Sequence, residues 1–159
     1  MRPGPPRPAG QGLKGNIKSV VSKVLPFRVD QQTGSRPLSL AQQVFFRYNA
    51  ACAAVLAAAG KGEDASKLEG KEQRRLRQQA LAWLQENRKE YTGQLDDLNA
   101  KQRADLQKTL QHWQQDADLA SVRDADALTK LPEAERAAWQ QFWAEVETLR
   151  QKAAAANSP

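Results

Sequence analysis

The stretch PEAERAAWQQFWAEVETLRQK, residues 132–152, decides the fold class. Trp139, Phe142, Val146 and Leu149 recur at a period near 3.6, so they line one face of an amphipathic helix, with Trp143 flanking that stripe. Pro132 suits the first helical position, where its missing N–H costs nothing. Glu133 and Glu135 then sit favourably at the positive end of the helix dipole. Working back from this helix, the same period recurs twice, and caps mark a further helix before them. Asn99 with Gln102 forms a capping box for a helix over about 100–115, carrying Leu106, Leu110 and Trp113 on one face. Ser66 with Glu69 is a second box, for a long helix over about 66–91 with Leu76, Ala80, Trp83, Leu84 and Tyr91, broken at Thr92-Gly93. Ser39 with Gln42 is a third, for a helix over about 39–59 stopped by Gly60 and Gly62. Between the last two helices, residues 116–124 read as a loop and 124–130 as one or two helical turns.

Composition agrees with this reading. Ala, Leu, Gln, Glu, Arg and Lys dominate, which are the strong helix formers. The expected fold is all-α, an antiparallel helical array over residues 39–152, with Trp83, Trp113 and Trp139 in its core. Residues 153–159 are expected to fray. Residues 1–38 differ in kind. Their first twelve positions are Pro, Gly and Arg with almost nothing apolar, too little to offset the entropy of ordering, so this part is expected to be a disordered basic arm. Within it, Leu13, Ile17, Val20, Val21, Val24 and Leu25 follow helical spacing, while Lys14, Lys18 and Lys23 fall mostly off that stripe and Pro26 ends it.

The formal charge of +6 resides in the arm. Residues 1–38 carry seven cations against the single anion Asp30, whereas residues 39–159 carry 17 of each sign. Any polyanion contact would therefore run through Arg2, Arg7, Lys14, Lys18, Lys23 and Arg28. Cys52 is the only cysteine, which excludes an intrachain disulfide and suits a reducing, cytoplasmic setting. The longest apolar run, Ala50–Ala59, is too short for a bilayer, and a Pro-rich start lacks the apolar stretch of a signal peptide. Neither membrane association nor secretion is expected.

Few residues are candidates for chemistry. Gly10-Gln-Gly12-Leu-Lys-Gly15-Asn-Ile17 matches the glycine-rich phosphate loop of protein kinases, but no His-Arg-Asp or Asp-Phe-Gly motif follows, so neither a base nor a metal ligand is supplied. A flexible linker is the favoured reading of those glycines. His112, the only histidine, has Asp116 and Asp118 after it but no nucleophile signature and no second His or Cys nearby in sequence. Cys52 reads as a packed small residue among alanines. Trp139 and Trp143 could stack on bases, yet Glu133, Glu135, Glu145 and Glu147 on the same helix repel phosphate, which favours a core role. Lys71, Arg74, Arg75 and Arg77 are interspersed with Glu69 and Glu72 and read as a solvated helix face. No cofactor or metal is expected, and no enzymatic activity.

Two resemblances add to this. Tyr48-Asn49-Ala-Ala-Cys52-Ala53, with Gly60-Lys-Gly62 at the turn and Ala65 at the small position of the next helix, resembles the helix pair of a tetratricopeptide repeat. The block from Leu110 through Trp113, Asp116, Leu119, Val122 and Asp124, continuing from Leu131-Pro132-Glu133 to Trp139 and Trp143, with Ala80 to Leu84 upstream, resembles the C-terminal region of large bacterial serine/threonine protein kinases. Those kinases join a kinase domain to tetratricopeptide or β-propeller repeats. The resemblance covers about residues 45–150 and no kinase catalytic residue. It implies a non-catalytic helical region that caps a repeat array or binds a protein partner. The implied partner groove lies between the first two helices and involves Phe45, Tyr48, Asn49, Cys52, Arg77 and Gln78. The alternative is a nucleic-acid or polyanion binder acting through the arm.

Overall fold

In the computed structural model, residues 37–155 are described. They are all-α, with no strand among them. Five α-helices follow in order: α1 Leu40–Ala58, α2 Gly70–Gln94, α3 Ala100–Gln115, α4 Ala125–Leu128 and α5 Glu133–Ala155. Three 3-10 turns join them, at Ala65–Lys67, Leu95–Asp97 and Ala117–Val122. The arm residues Arg2, Arg7, Lys14, Lys18, Lys23 and Arg28, and the glycines 10, 12 and 15, lie outside the described residues.

Local chemistry sets two of the helix starts as expected. Ser39 Oγ accepts from the Gln42 amide at 3.2 Å while Gln42 Oε1 accepts from the Ser39 amide at 2.9 Å. Asn99 and Gln102 form the same reciprocal pair, both bonds at 2.9 Å. Helix α1 ends at Gly60, whose φ of 77° lies in the left-handed region. The Gly60 amide donates to the Ala57 carbonyl and the Lys61 amide to that of Leu56, which is the Schellman arrangement and explains the glycine.

The start of α2 differs from expectation. Ser66 lies inside a 3-10 turn, and the helix begins at Gly70 behind Glu69, whose side chain makes no capping bond. The physical reason is burial. Ala65 is buried and Leu68 packs against the core in an extended conformation, so tertiary contact overrides the local capping signal. At the other end α2 runs through Thr92-Gly93 to Gln94, and the break comes where Leu95 buries itself in the next turn. The expected loop 116–124 is largely a 3-10 turn carrying the buried Leu119 and Val122. Helix α5 continues past residue 152 to Ala155 with Ala153 buried, so residues 153–155 are packed helix and not a frayed tail.

One contiguous core joins all five helices. Helix α1 turns a face of small residues (Ala51, Cys52, Ala54, Ala57, Ala58) inward, and α2 packs on it more extensively than any other element does. Small side chains let the two backbones approach closely. Leu106, Leu110 and Trp113 of α3 meet Trp139, Phe142, Val146 and Leu149 of α5 in the same core. Trp113 and Trp139 are buried as expected, whereas Trp83 is only half-buried. Trp143 is half-buried too, its indole N–H donating to the Val122 carbonyl at 2.8 Å. Helices α1 and α2 form a helix–turn–helix running from Leu40 to Gln94, longer than a tetratricopeptide repeat of about 34 residues, and Ala65 precedes its second helix.

Candidate functional site

The polar residues that come together in space centre on Asp116, which follows α3. Its Oδ2 accepts from the Tyr48 hydroxyl of α1 at 2.6 Å, and His112 Nε2 stands 3.3 Å from the same oxygen. Its Oδ1 accepts from the Asp118 amide at 2.9 Å, capping the 3-10 turn. The Tyr48 ring stacks on Trp113, with centroids 5.3 Å apart. Burial works against the Asp116 carboxylate. The hydrogen bonds from Tyr48 and Asp118, with the charges of His112 and Arg123, nevertheless hold its pKa below the ordinary value. Burial pushes the Tyr48 hydroxyl up strongly, and the bond to Asp116 adds to this. Burial also pushes the Cys52 thiol up to about 12, assisted by the negative charge of Asp116.

This arrangement defines what the cluster can do. Cys52, Asp116 and Asp118 each place one ligand atom within 4.8 Å of the others, the one such grouping among the described residues. Burial and the negative charge of Asp116 both favour the protonated thiol, which makes Cys52 a poor nucleophile. Both oxygens of Asp116 already accept hydrogen bonds. The cluster ties α1 to the end of α3 as a structural joint.

A second polar joint links α2 to α5. Arg77 donates to both oxygens of Glu135, one bond at 3.0 Å, with side chains 13 % and 8 % exposed. Arg74 stands 3.8 Å from the same carboxylate. A cleft of about 230 Å³ opens beside this pair, lined by Arg74, Gln78, Leu81, Pro132, Glu135 and Trp139. Asn87 forms a third joint. It is fully buried on α2, and its amide donates to the Val44 carbonyl of α1 at 2.9 Å.

The six residues expected to line a groove between α1 and α2 are thus dispersed. Tyr48 and Cys52 face α3 and the turn after it, Arg77 faces α5, and Gln78 is exposed at the cleft between α2 and α5. Phe45 and Asn49 remain on the outside of α1. There they have a neighbour the sequence reading passed over, Phe46. Phe45 and Phe46 are 61 % and 50 % exposed and meet edge to face, with centroids 5.8 Å apart. They are the only large hydrophobic residues so exposed among those described. Gln42, Asn49, Ala53 and Leu56 extend the same side of the helix, the last two partly exposed. The only charged residue in α1 is Arg47, which is turned to α2, where it bonds Asn87 at 3.4 Å and pairs with Glu90 at 3.8 Å. The outer face of α1 is therefore uncharged and topped by two aromatic rings. The signal was present in the sequence as a helix of 19 residues with a single charge.

No family model, curated protein or solved structure matches the chain. No helix among the described residues is long and apolar enough to cross a membrane.

Proposed function

We propose that the chain is a non-catalytic helical interaction module that docks a protein partner on the outer face of α1. The observation that carries this reading is the exposure of Phe45 and Phe46 on a helix whose one charge is engaged elsewhere. Exposed aromatic pairs cost solvation free energy, and aromatic side chains dominate the energetics of interfaces. The partner's contribution would be an amphipathic helix or an apolar peptide laid along Phe45, Phe46, Asn49 and Ala53. The resemblance to the C-terminal region of bacterial serine/threonine kinases supports a role beside a kinase domain or a repeat array, in a cytoplasmic setting. His112, Asp116 and Cys52 carry no catalytic duty in this reading: Asp116 joins α1 to the end of α3 through Tyr48, and Cys52 packs in the core.

The test is a comparison of the full chain with Phe45→Asp/Phe46→Asp. A partner captured by the first is purified, and its affinity is measured for both. The reading expects a loss of at least about 2 kcal/mol of binding, the size of an interface hot spot, with helicity unchanged. Equal affinities would place the interface elsewhere. One observation favours a second reading. All of the net charge lies in residues 1–38, which suits a polyanion contact through Arg2, Arg7, Lys14, Lys18, Lys23 and Arg28. Such binding falls steeply with salt, while docking on the uncharged face of α1 does not, so a salt titration separates the two.

A further inference from the structure

The outer face of α1 matches itself. Resting on the reading of that face as a docking surface, we infer that the partner it takes is a second copy of this chain, with α1 packed on α1 in antiparallel register about a two-fold axis at Asn49. Five positions of the face, Gln42, Phe45, Asn49, Ala53 and Leu56, follow one another at steps of 3, 4, 4 and 3 residues. These steps read the same in both directions, so the face maps onto itself when one helix is laid reversed on another, as a two-fold interface requires. In that register Phe45 of each copy lies over the small Ala53 of the other, and Gln42 over Leu56. Phe46, one position on from Phe45, covers the flank of the seam.

Charge favours the same occupant. Across a two-fold axis a charged face meets its own charges and repels its copy. This face carries none, because Arg47 is turned to α2, where Glu90 and Asn87 hold it. Asn49 falls on the axis, and a carboxamide both donates and accepts, so it can pair with Asn49 of the second copy. An uncharged face also lacks the complementary charges by which a dissimilar partner is selected. Area sets the strength. Phe45 and Phe46 are 61 % and 50 % exposed, and together offer about 200 Å². With the four other residues the face gives about 400 Å² from each copy and about 800 Å² in all, the size of a weak, reversible association.

The test is sedimentation velocity of the full chain, in about 0.3 M salt so that the net charge of +6 on each copy is screened. The average mass is expected to rise from monomer toward dimer between about 5 and 500 µM. Phe45→Asp/Phe46→Asp is expected to weaken the association by at least about thirtyfold. Asn49→Lys, which sets like charges together on the axis, is expected to do the same and serves if thermal melts show the double aspartate unfolded. Register is read by oxidation. Thiols of Asn49→Cys meet at the axis, whereas those of Gln42→Cys lie more than about 20 Å apart in antiparallel register. The first variant is therefore expected to crosslink at least about tenfold faster than the second, with Cys52 buried in both. A chain that stays monomeric throughout overturns the inference, as does a dimer that the substitutions leave intact, or equal crosslinking at positions 42 and 49. None of these outcomes decides the docking face itself, which the affinity comparison of Phe45→Asp/Phe46→Asp for a captured partner judges separately.

Discussion

Asp116 shows how one residue converts local pattern into tertiary structure. It caps the turn Ala117–Val122 through the Asp118 amide and holds α1 through the Tyr48 hydroxyl. Its pKa is lower in the folded chain than the ordinary 3.8, so the unfolded chain binds the proton more readily. The associated stability is present above pH 3.8 and is lost as pH falls through the folded value. Asp116→Asn is expected to cost about 1 kcal/mol at pH 7, with the difference shrinking as the pH is lowered below 3.8. Urea unfolding followed at both pH values checks this, and a constant difference would contradict it. Arg77 and Glu135 call for a different argument. Without Arg77 the buried Glu135 keeps only the exposed Arg74 at 3.8 Å, so Arg77→Met should destabilise by about 3 kcal/mol. Adding Glu135→Leu should restore more than half of that, which a double-mutant cycle reads directly. Little of either site was legible beforehand. The i, i+4 spacing of His112 and Asp116 was visible, but Tyr48 is 68 residues away from Asp116 and Arg77 is 58 away from Glu135. Only the packed helices bring them together.

The elements themselves were more legible, and unevenly so for a physical reason. A capping box is closed within four residues, so Ser39–Gln42 and Asn99–Gln102 formed as read. Ser66–Glu69 has the same local grammar, but the burial of Ala65 and Leu68 is decided by the core and draws the chain out of the helix there. The same contrast supplies a prediction. Asn99→Ala removes the acceptor for the Gln102 amide and should cost about 1 kcal/mol. Ser66→Ala removes no capping bond and should change stability by less than about 0.5 kcal/mol. Equal losses from the two in thermal melts would show that Ser66 caps α2 after all. The far end of α5 follows the same logic. Residues 153–155 look like a fraying alanine tail until Ala153 is seen to be buried.

At the scale of the whole molecule, composition and period were enough for the all-α class, since helix formers and 3.6-residue stripes dominate and the described residues hold no strand. Trp113 and Trp139 came to rest where their stripes pointed, so their emission should be blue-shifted and shielded from aqueous quenchers, with Trp83 and Trp143 partly accessible. What the stripes concealed was the surface. Helix α1 has a single charge in 19 residues, which marks it as apolar on more than one side, but the sequence alone does not say which of its faces the core covers. The account therefore turns on whether Phe45 and Phe46 serve binding and not folding. The free energy of unfolding of Phe45→Asp/Phe46→Asp, from urea denaturation of the full chain followed by tryptophan emission, tests this most directly. Because neither ring belongs to the core, the account predicts a change below about 1 kcal/mol. A loss of about 3 kcal/mol or more, the cost of emptying a buried phenylalanine site, would make them core residues and contradict the account.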